Sequence, residues 1–249
     1  MSFTVAVVGA SGRLGSVIAR VVEAIPEAEL VAALRSADAL DAALAADVVV
    51  DATTPSASPE IVAAAIRAGR RVLVGTSGWS AERIATLRGL VAEHAGSGAV
   101  VIPNFSLGSV LATSFAAIAA RHFDSAEIVE THHAGKVDSP SGTAVRTAEL
   151  MAAARSELGP FATPHADQRA RGQEVGSVPI HSLRLAGVVA RQEVVFGGAG
   201  EVLTISHDTV SADAYQAGIR AALRRAAEVA DEVVVGLDVV LGLDQALGR

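Results

Sequence analysis

Apolar residues along this chain of 249 residues fall into short runs separated by glycine and small polar residues. The first run, Phe3–Val8, is β-branched, and Gly9-Ala10-Ser11-Gly12-Arg13-Leu14-Gly15 follows at once. From Ser16 the apolar positions change to helical spacing, with Val17, Ile18, Val21 and Val22 on one face. The alternation continues. Strands are predicted over residues 29–34, 47–52, 71–75 and 99–102, with helices over 60–68 and 80–95, the latter capped by Ser80. Strands alternating with helices predict a parallel, doubly wound sheet. In such sheets a ligand lies beyond the carboxyl ends of the strands.

The rhythm then changes. Strands are predicted over 126–130, 181–185, 188–196 and 201–207, with Gly197-Gly198-Ala199-Gly200 turning the last pair. One long helix follows Thr143 as far as residue 154, and residues 155–178 read as a polar loop. Residues 215–229 return to helical spacing, and residues 233–243 are expected to pack back on the first domain. The chain is therefore read as a nucleotide-binding α/β domain, residues 1–106 with 212–249. Inserted in it is a mixed α+β domain, residues 107–211.

Two groups of residues carry candidate chemistry. A strand, a glycine turn and a helix in immediate succession form the context for dinucleotide binding, because the glycines let backbone N–H groups approach a pyrophosphate at a helix N-terminus. The spacing here is G-x-x-G-x-x-G. Polar loops after the later strands, including Gly75-Thr76-Ser77 and Ile102-Pro103-Asn104-Phe105, fall at the rim of the same cleft. The second strand ends Leu34-Arg35-Ser36 without an acid, and an Arg there accommodates a 2′-phosphate. NADPH is therefore expected to serve at least as well as NADH.

The second group lies in Glu130-Thr131-His132-His133-Ala134-Gly135-Lys136-Val137-Asp138-Ser139-Pro140-Ser141-Gly142-Thr143. Histidine titrates near neutrality and exchanges protons, and lysine supplies a compact ammonium. The Gly142 and Thr143 amides open a helix and suit a carboxylate. Residue types alone leave acid and anchor undivided among His132, His133 and Lys136. No third ligand stands at a familiar metal spacing, so no metal is expected.

Composition sharpens this. The chain has 19 arginines and one lysine, so Lys136 stands where arginine does not serve. It has no cysteine, which excludes disulfides, thiolate-ligated metal and a cysteine nucleophile. The net charge of −7 without a basic tail argues against nucleic-acid binding. No apolar stretch reaches the roughly 18 residues of a membrane span, and no basic region precedes the first apolar run, so a cytoplasmic protein is expected. With 51 alanines and 3% aromatics, each core residue buries little area, and oligomerisation is one way to recover stability.

The segment around Lys136 resembles the signature of the dihydrodipicolinate reductase family, E-x-H-H-x-x-K-x-D-A-P-S-G-T-A, with Ser139 in place of Ala. The resemblance extends to GASGRLG, GTSG, PNFSLG, His181-Ser182-Leu183-Arg184 and the segment 201–208. It implies a Rossmann-type domain with an inserted mixed α+β domain for substrate binding, whose sheets associate into a homotetramer. It also implies NADPH- or NADH-dependent reduction of 4-hydroxy-tetrahydrodipicolinate to tetrahydrodipicolinate, on the lysine (diaminopimelate) route. By resemblance, His132 and Lys136 are catalytic, and His133, Gly142 and Thr143 bind the dicarboxylate substrate. Gly9, Ala10, Ser11, Gly12, Arg13 and Leu14 hold the cofactor pyrophosphate, while Gly75, Thr76, Ser77 and Ile102, Pro103, Asn104, Phe105 line the nicotinamide side. The chain departs from the pattern at Ile102, where Ala is common, and at Ala212, where a basic residue is common. Another Rossmann-type oxidoreductase acting on an imine or an amino or oxo acid, or a nucleotide-sensing protein without activity, would share the first domain.

Overall fold

The computed structural model describes residues 2–35 and 38–243. In chain order the elements are β1 (Phe3–Val8), α1 (Arg13–Glu23), β2 (Ala28–Leu34), β3 (Val48–Asp51), α2 (Ser58–Arg67), β4 (Arg71–Val74), α3 (Ala81–Ala92) and β5 (Gly98–Val101). There follow α4 (Leu107–Ala119), β6 (Ser125–His133), α5 (Gly142–Ala154), β7 (Gln173–Val175), β8 (Val178–Leu185), β9 (Ala190–Gly198) and β10 (Glu201–Thr209). The chain closes with α6 (Gln216–Glu228), β11 (Val233–Val235) and α7 (Leu237–Val240).

The described residues form two compact units. The first combines Met1–Leu107 with Tyr215–Gly242. Its six-stranded sheet has the order β11-β5-β4-β3-β1-β2, and every pair is parallel. Strands β3 and β5 are buried along their whole length, which is why they appear in the sequence as unbroken apolar runs. Alternation divides their side chains between two layers. Ala6, Val8, Val49, Val72, Val74, Ala99 and Val101 pack with Ile61, Val62 and Ile66 of α2 and Leu87 and Val91 of α3. The opposite set faces α1 and α6, whose buried stripes are Val17, Ile18, Val21, Val22 and Ile219, Ala222, Leu223, Ala226. Ser80 caps α3 as predicted, accepting the Arg83 amide at 3.3 Å. The returning C-terminal segment adds β11 beside β5 as a sixth strand.

The second unit, built from Gly108–Ala214, holds a mixed sheet in the order β10-β9-β6-β8-β7. Only β6 and β8 run parallel. One face is covered, where Ala126, Ile128, Val178, Ile180, Val194 and Phe196 pack with Ala116 of α4 and with Ala144, Ala148 and Met151 of α5. The other face exposes Leu183, Leu185 and Val202.

The structure adds to the sequence pattern in one place and corrects it in two. Helix α4 carries no signal in the pattern, because its run Val-Leu-Ala-Thr-Ser-Phe-Ala-Ala-Ile-Ala is apolar nearly all round and shows no helical period. Strand β6 runs on to His133, so both histidines lie in a strand and not in the loop after it. A short strand, β7, lies within the segment read as loop; it pairs antiparallel with β8 through Gln173, Glu174 and Val175.

Candidate active site

In the first unit the glycine turn is closed by backbone contacts. Gly9 has φ +86°, a conformation disfavoured for residues with a Cβ. A Cβ on Gly15 would stand 2.1 Å from the Gly9 carbonyl oxygen, so the first turn of α1 lies directly on the loop. The Gly9 and Ala10 amides both donate to the Leu34 carbonyl, at 2.8 and 2.9 Å, and the Gly12 amide donates to the Gly9 carbonyl at 3.0 Å. Gly9 and Ala10 shape the turn, but their N–H groups are engaged by β2. The Arg13 and Leu14 amides open α1 and have no carbonyl four residues back within the helix. Ser11, Gly12 and Arg13 are exposed.

Gly75 packs between Leu14 and Phe105; a Cβ there would lie 3.0 Å from a carbon of each. Three of the expected cofactor residues are thus gathered from three separate segments, the start of α1 and the loops after β4 and β5. Ser77 and Pro103 are exposed, and the Asn104 Oδ1 accepts the Ser106 amide at 2.9 Å. Ile102 is 1% exposed, so its side chain belongs to the core and only its backbone can line a site. Arg35 is exposed at the end of β2, and its amide donates to the Asp38 Oδ2 at 2.7 Å. A carboxylate therefore does lie at the strand end, supplied by Asp38 three residues beyond Arg35. Ser36 lies outside the described residues.

Asp51, which belongs to neither motif, is fully buried at the end of β3. Its Oδ1 accepts the Thr53 hydroxyl at 2.5 Å and the Thr53 amide at 3.2 Å, and its Oδ2 accepts the Ser58 hydroxyl at 2.5 Å. The Thr53 amide also donates to the Thr76 hydroxyl at 2.8 Å. The single tryptophan, Trp79, donates its indole N–H to Ser58 at 2.9 Å. One carboxylate thereby fixes the loop after β3 and, through Thr53, the loop after β4. An acid closing an otherwise apolar strand was the available signal, since a buried charge requires hydrogen-bond partners.

In the second unit the chemistry gathers around Glu130, also fully buried. Residues 130 and 132 of β6 share the covered face of the sheet, and strand alternation places His133 on the other face. His133 is exposed and lies beside Gly135. The two adjacent histidines are therefore divided. The His132 Nδ1 meets the Glu130 Oε2 at 2.5 Å. An ionised carboxylate only accepts, so Nδ1 carries the hydrogen and Nε2 is the nitrogen able to exchange a proton with a ligand.

Arg184 lies opposite His132 in the β6–β8 register. Its guanidinium makes paired bonds to Glu130, at 2.9 Å to Oε2 and 3.0 Å to Oε1. It also donates to the Asp138 carbonyl at 2.6 Å and the Lys136 carbonyl at 3.3 Å. The Lys136 ammonium bonds both oxygens of Asp138, at 2.7 and 2.8 Å. That ammonium is the main reason why the exposed Asp138 carboxyl is held below its usual pKa. Helix α5 begins beside these groups. Ser141 caps it by accepting the Ala144 amide at 3.2 Å, and the Ser141 amide donates to the Glu130 Oε1 at 3.2 Å. The Gly142 and Thr143 amides are the first two of the helix and point to no carbonyl within it.

Burial alone would raise the Glu130 pKa. Hydrogen bonds from Arg184, Ser182 and His132 outweigh that and hold it below the ordinary value of 4.5. The sign of the linkage follows. With the folded pKa depressed, Glu130 contributes stability that is complete above the unfolded pKa and is lost as pH falls through the folded one. Urea midpoints measured from pH 7 down to pH 3 should drop less steeply for Glu130→Gln than for the parent chain. Parallel curves would contradict the assignment.

The parallel sheet with its glycine cradle and the second unit's acid–base cluster define a two-domain, pyridine-nucleotide-dependent oxidoreductase of the Rossmann type. Comparison with known proteins makes this specific. Residues 3–105 match the family model described as dihydrodipicolinate reductase, N-terminus, and residues 108–241 match the one described as dihydrodipicolinate reductase, C-terminus. The chain belongs to the dihydrodipicolinate reductase family. It is 60% identical over 249 residues to the 4-hydroxy-tetrahydrodipicolinate reductase of Clavibacter michiganensis, spanning 100% of this chain and 90% of the relative. It is 48% identical over 227 residues to the enzyme of that name from Streptomyces griseus, spanning 89% of this chain and 91% of the other. Among solved structures it superposes on a dipicolinate-bound dihydrodipicolinate reductase from Paenisporosarcina sp. TG-14. That match has a TM-score of 0.82 at 30% identity and covers 96% of this chain and 99% of that one. No helix among the described residues is long and apolar enough to cross a membrane.

Proposed function

We propose that this chain is a cytoplasmic 4-hydroxy-tetrahydrodipicolinate reductase of lysine (diaminopimelate) biosynthesis. The observation that carries this reading is the second unit's cluster. A proton-exchanging His132 and the ammonium-bearing Lys136 loop are tied to the same Glu130–Arg184 pair that anchors the start of α5. The substrate is a cyclic imine-type dicarboxylate, and dipicolinate, bound in the Paenisporosarcina relative, is a flat dicarboxylate of the same ring type.

The residues of the first unit fit a dinucleotide. The turn at Gly9 and Gly15 has no room for a side chain, and the Arg13 and Leu14 amides open a helix toward the exposed side of that turn. A reduced nicotinamide bound there supplies a hydride. In the net reaction the substrate takes up that hydride and a proton and loses its 4-hydroxyl as water. Gly142 and Thr143 hold one substrate carboxylate at the helix start, with His133 as a further binder. Lys136 supplies the proton, and His132, through Nε2, gives or accepts one as charge redistributes. Asp138 holds the Lys136 ammonium in place through both of its carboxylate oxygens.

Both cofactors are proposed to serve. Arg35 suits a 2′-phosphate, and Asp38 suits a free ribose hydroxyl. A coupled assay, with synthase-generated substrate and NADPH or NADH in turn, tests both claims. Turnover of this substrate is expected with each cofactor, and Arg35→Ala should lower the NADPH-to-NADH ratio of kcat/KM. Activity only on another imine would reject the substrate, and an unchanged ratio would reject Arg35. The enzyme is further proposed to be a homotetramer, supported by the apolar Leu183, Leu185 and Val202 on the open sheet face of the second unit. Light scattering should give a particle four times the 25.2 kDa chain.

A further inference from the structure

We propose that Glu130 and Arg184 act as a positioning clamp that locks the proton-handling groups and the substrate cradle into one geometry. This rests on the reading of His132 and Lys136 as the groups that handle the proton. Neither Glu130 nor Arg184 is required by that reading to touch substrate, and the motif around Arg184 otherwise has no role.

The geometry is that of a hub. The Glu130 carboxylate has two oxygens and serves both sides of the site. Oε2 takes the His132 Nδ1 hydrogen, and Oε1 takes the Ser141 amide, one residue before the Gly142 and Thr143 donors. The planar guanidinium of Arg184 bridges both carboxylate oxygens and then reaches two carbonyls of the loop that carries Lys136. A strand histidine, a loop lysine and a helix start, on three separate elements, thus share one ion pair. Arginine is required by this count. Its five donors lie in a fixed plane, whereas lysine offers one point charge that cannot meet the carboxylate and both carbonyls together.

The tautomer depends on the same pair. With Nδ1–H held by Glu130, the His132 Nε2 is the atom left for the substrate. Burial makes the pair mutually dependent, because Glu130 without Arg184 would be a fully buried charge lacking its main partner.

The test compares the full-length parent enzyme with Lys136→Ala, Glu130→Gln, Arg184→Lys and Arg184→Ala. It reads kcat and KM with the coupled substrate, cofactor Kd by nicotinamide fluorescence, and the downfield imidazole Nδ1–H signal by proton NMR. Glu130→Gln and Arg184→Ala are expected to lower kcat about 100-fold, the usual effect of misplacing reacting groups by an ångström. Cofactor Kd should stay at the parent value. The downfield signal should be lost in Glu130→Gln and kept in Arg184→Lys. Arg184→Lys should keep more kcat than Arg184→Ala, and added guanidinium should restore part of the loss in Arg184→Ala. A near-parental kcat in folded Glu130→Gln or Arg184→Ala, alongside a collapsed Lys136→Ala, overturns the clamp and leaves the catalytic reading standing. A near-parental kcat in Lys136→Ala instead overturns the catalytic reading. If Glu130→Gln fails to fold, the Arg184 pair decides, and guanidinium without effect on Arg184→Ala then counts against the clamp.

Discussion

Lys136→Ala is expected to lower kcat by about 1,000-fold, within the range usual for loss of a positioned proton donor. Binding of the reduced cofactor should be unaltered, because Lys136 belongs to the second unit and the glycine turn to the first. The size of the effect follows from the environment. Lys136 is the single lysine of the chain, and its ammonium is held at 2.7 and 2.8 Å by both Asp138 oxygens. Its backbone is held as well, since its amide donates to the His133 carbonyl at 3.0 Å and its own carbonyl accepts from Arg184. Removing the side chain therefore deletes a charge at a fixed point and leaves the loop in place. Lys136→Arg separates charge from proton donation. A guanidinium keeps the positive charge but does not release a proton near neutrality. KM for the dicarboxylate should then lie closer to the parent value than in Lys136→Ala, while kcat stays low. Near-normal turnover in either variant would remove Lys136 from the mechanism.

Gly15→Ala is expected to damage the first unit severely, although it adds only one methyl group. The new Cβ would meet the Gly9 carbonyl oxygen at 2.1 Å, its carbon at 2.7 Å and the Ala10 Cα at 2.9 Å. All three atoms are backbone, so no rotamer change relieves the clash. Either α1 or the glycine turn must move. The turn is held by three backbone hydrogen bonds, from the Gly9 and Ala10 amides to the Leu34 carbonyl and from the Gly12 amide to the Gly9 carbonyl. Overpacking of this kind costs about 3 kcal/mol or more. For a chain of this size that lowers Tm by roughly 6–12 °C. Cofactor Kd should rise sharply, since the Arg13 and Leu14 amides move with the helix start. Gly89→Ala is the control. Gly89 lies in α3 with nothing within 4 Å of a new Cβ, and replacing a helical glycine by alanine gains about 1 kcal/mol. Equal melting temperatures for the two variants would refute the argument from close approach.

The sequence was most legible where one rule acted alone. Strands β1, β3, β4 and β5 are short apolar runs bounded by turn residues, and periodicity located each within a residue or two. The glycine turn declared itself because only glycine permits so close a backbone approach. Legibility failed where two signals competed or where none was present. Helix α4 is apolar nearly all round and offers no period. The His-His pair resembled a loop motif, yet β6 extends through it and sends the two rings to opposite faces. Asp38 lies beyond the end of β2, and its carboxylate meets the Arg35 amide only through a side-chain contact that strand pattern does not report.

What the sequence determined by itself was local. It specified the glycine cradle, the alternation of strands and helices from β1 to β5, the helix start at Ser141-Gly142-Thr143 and the residue types able to move a proton. Those follow from backbone sterics, periodicity and side-chain chemistry, each acting within a few residues. Tertiary structure decided which of these groups act together. Glu130 and Arg184 are 54 residues apart in the chain and become neighbours only when β6 and β8 pair in register. Once paired and buried, the carboxylate must satisfy its hydrogen bonds. The partners it takes, His132, Arg184 and the Ser141 amide, bring a strand, a loop and a helix start into a single site.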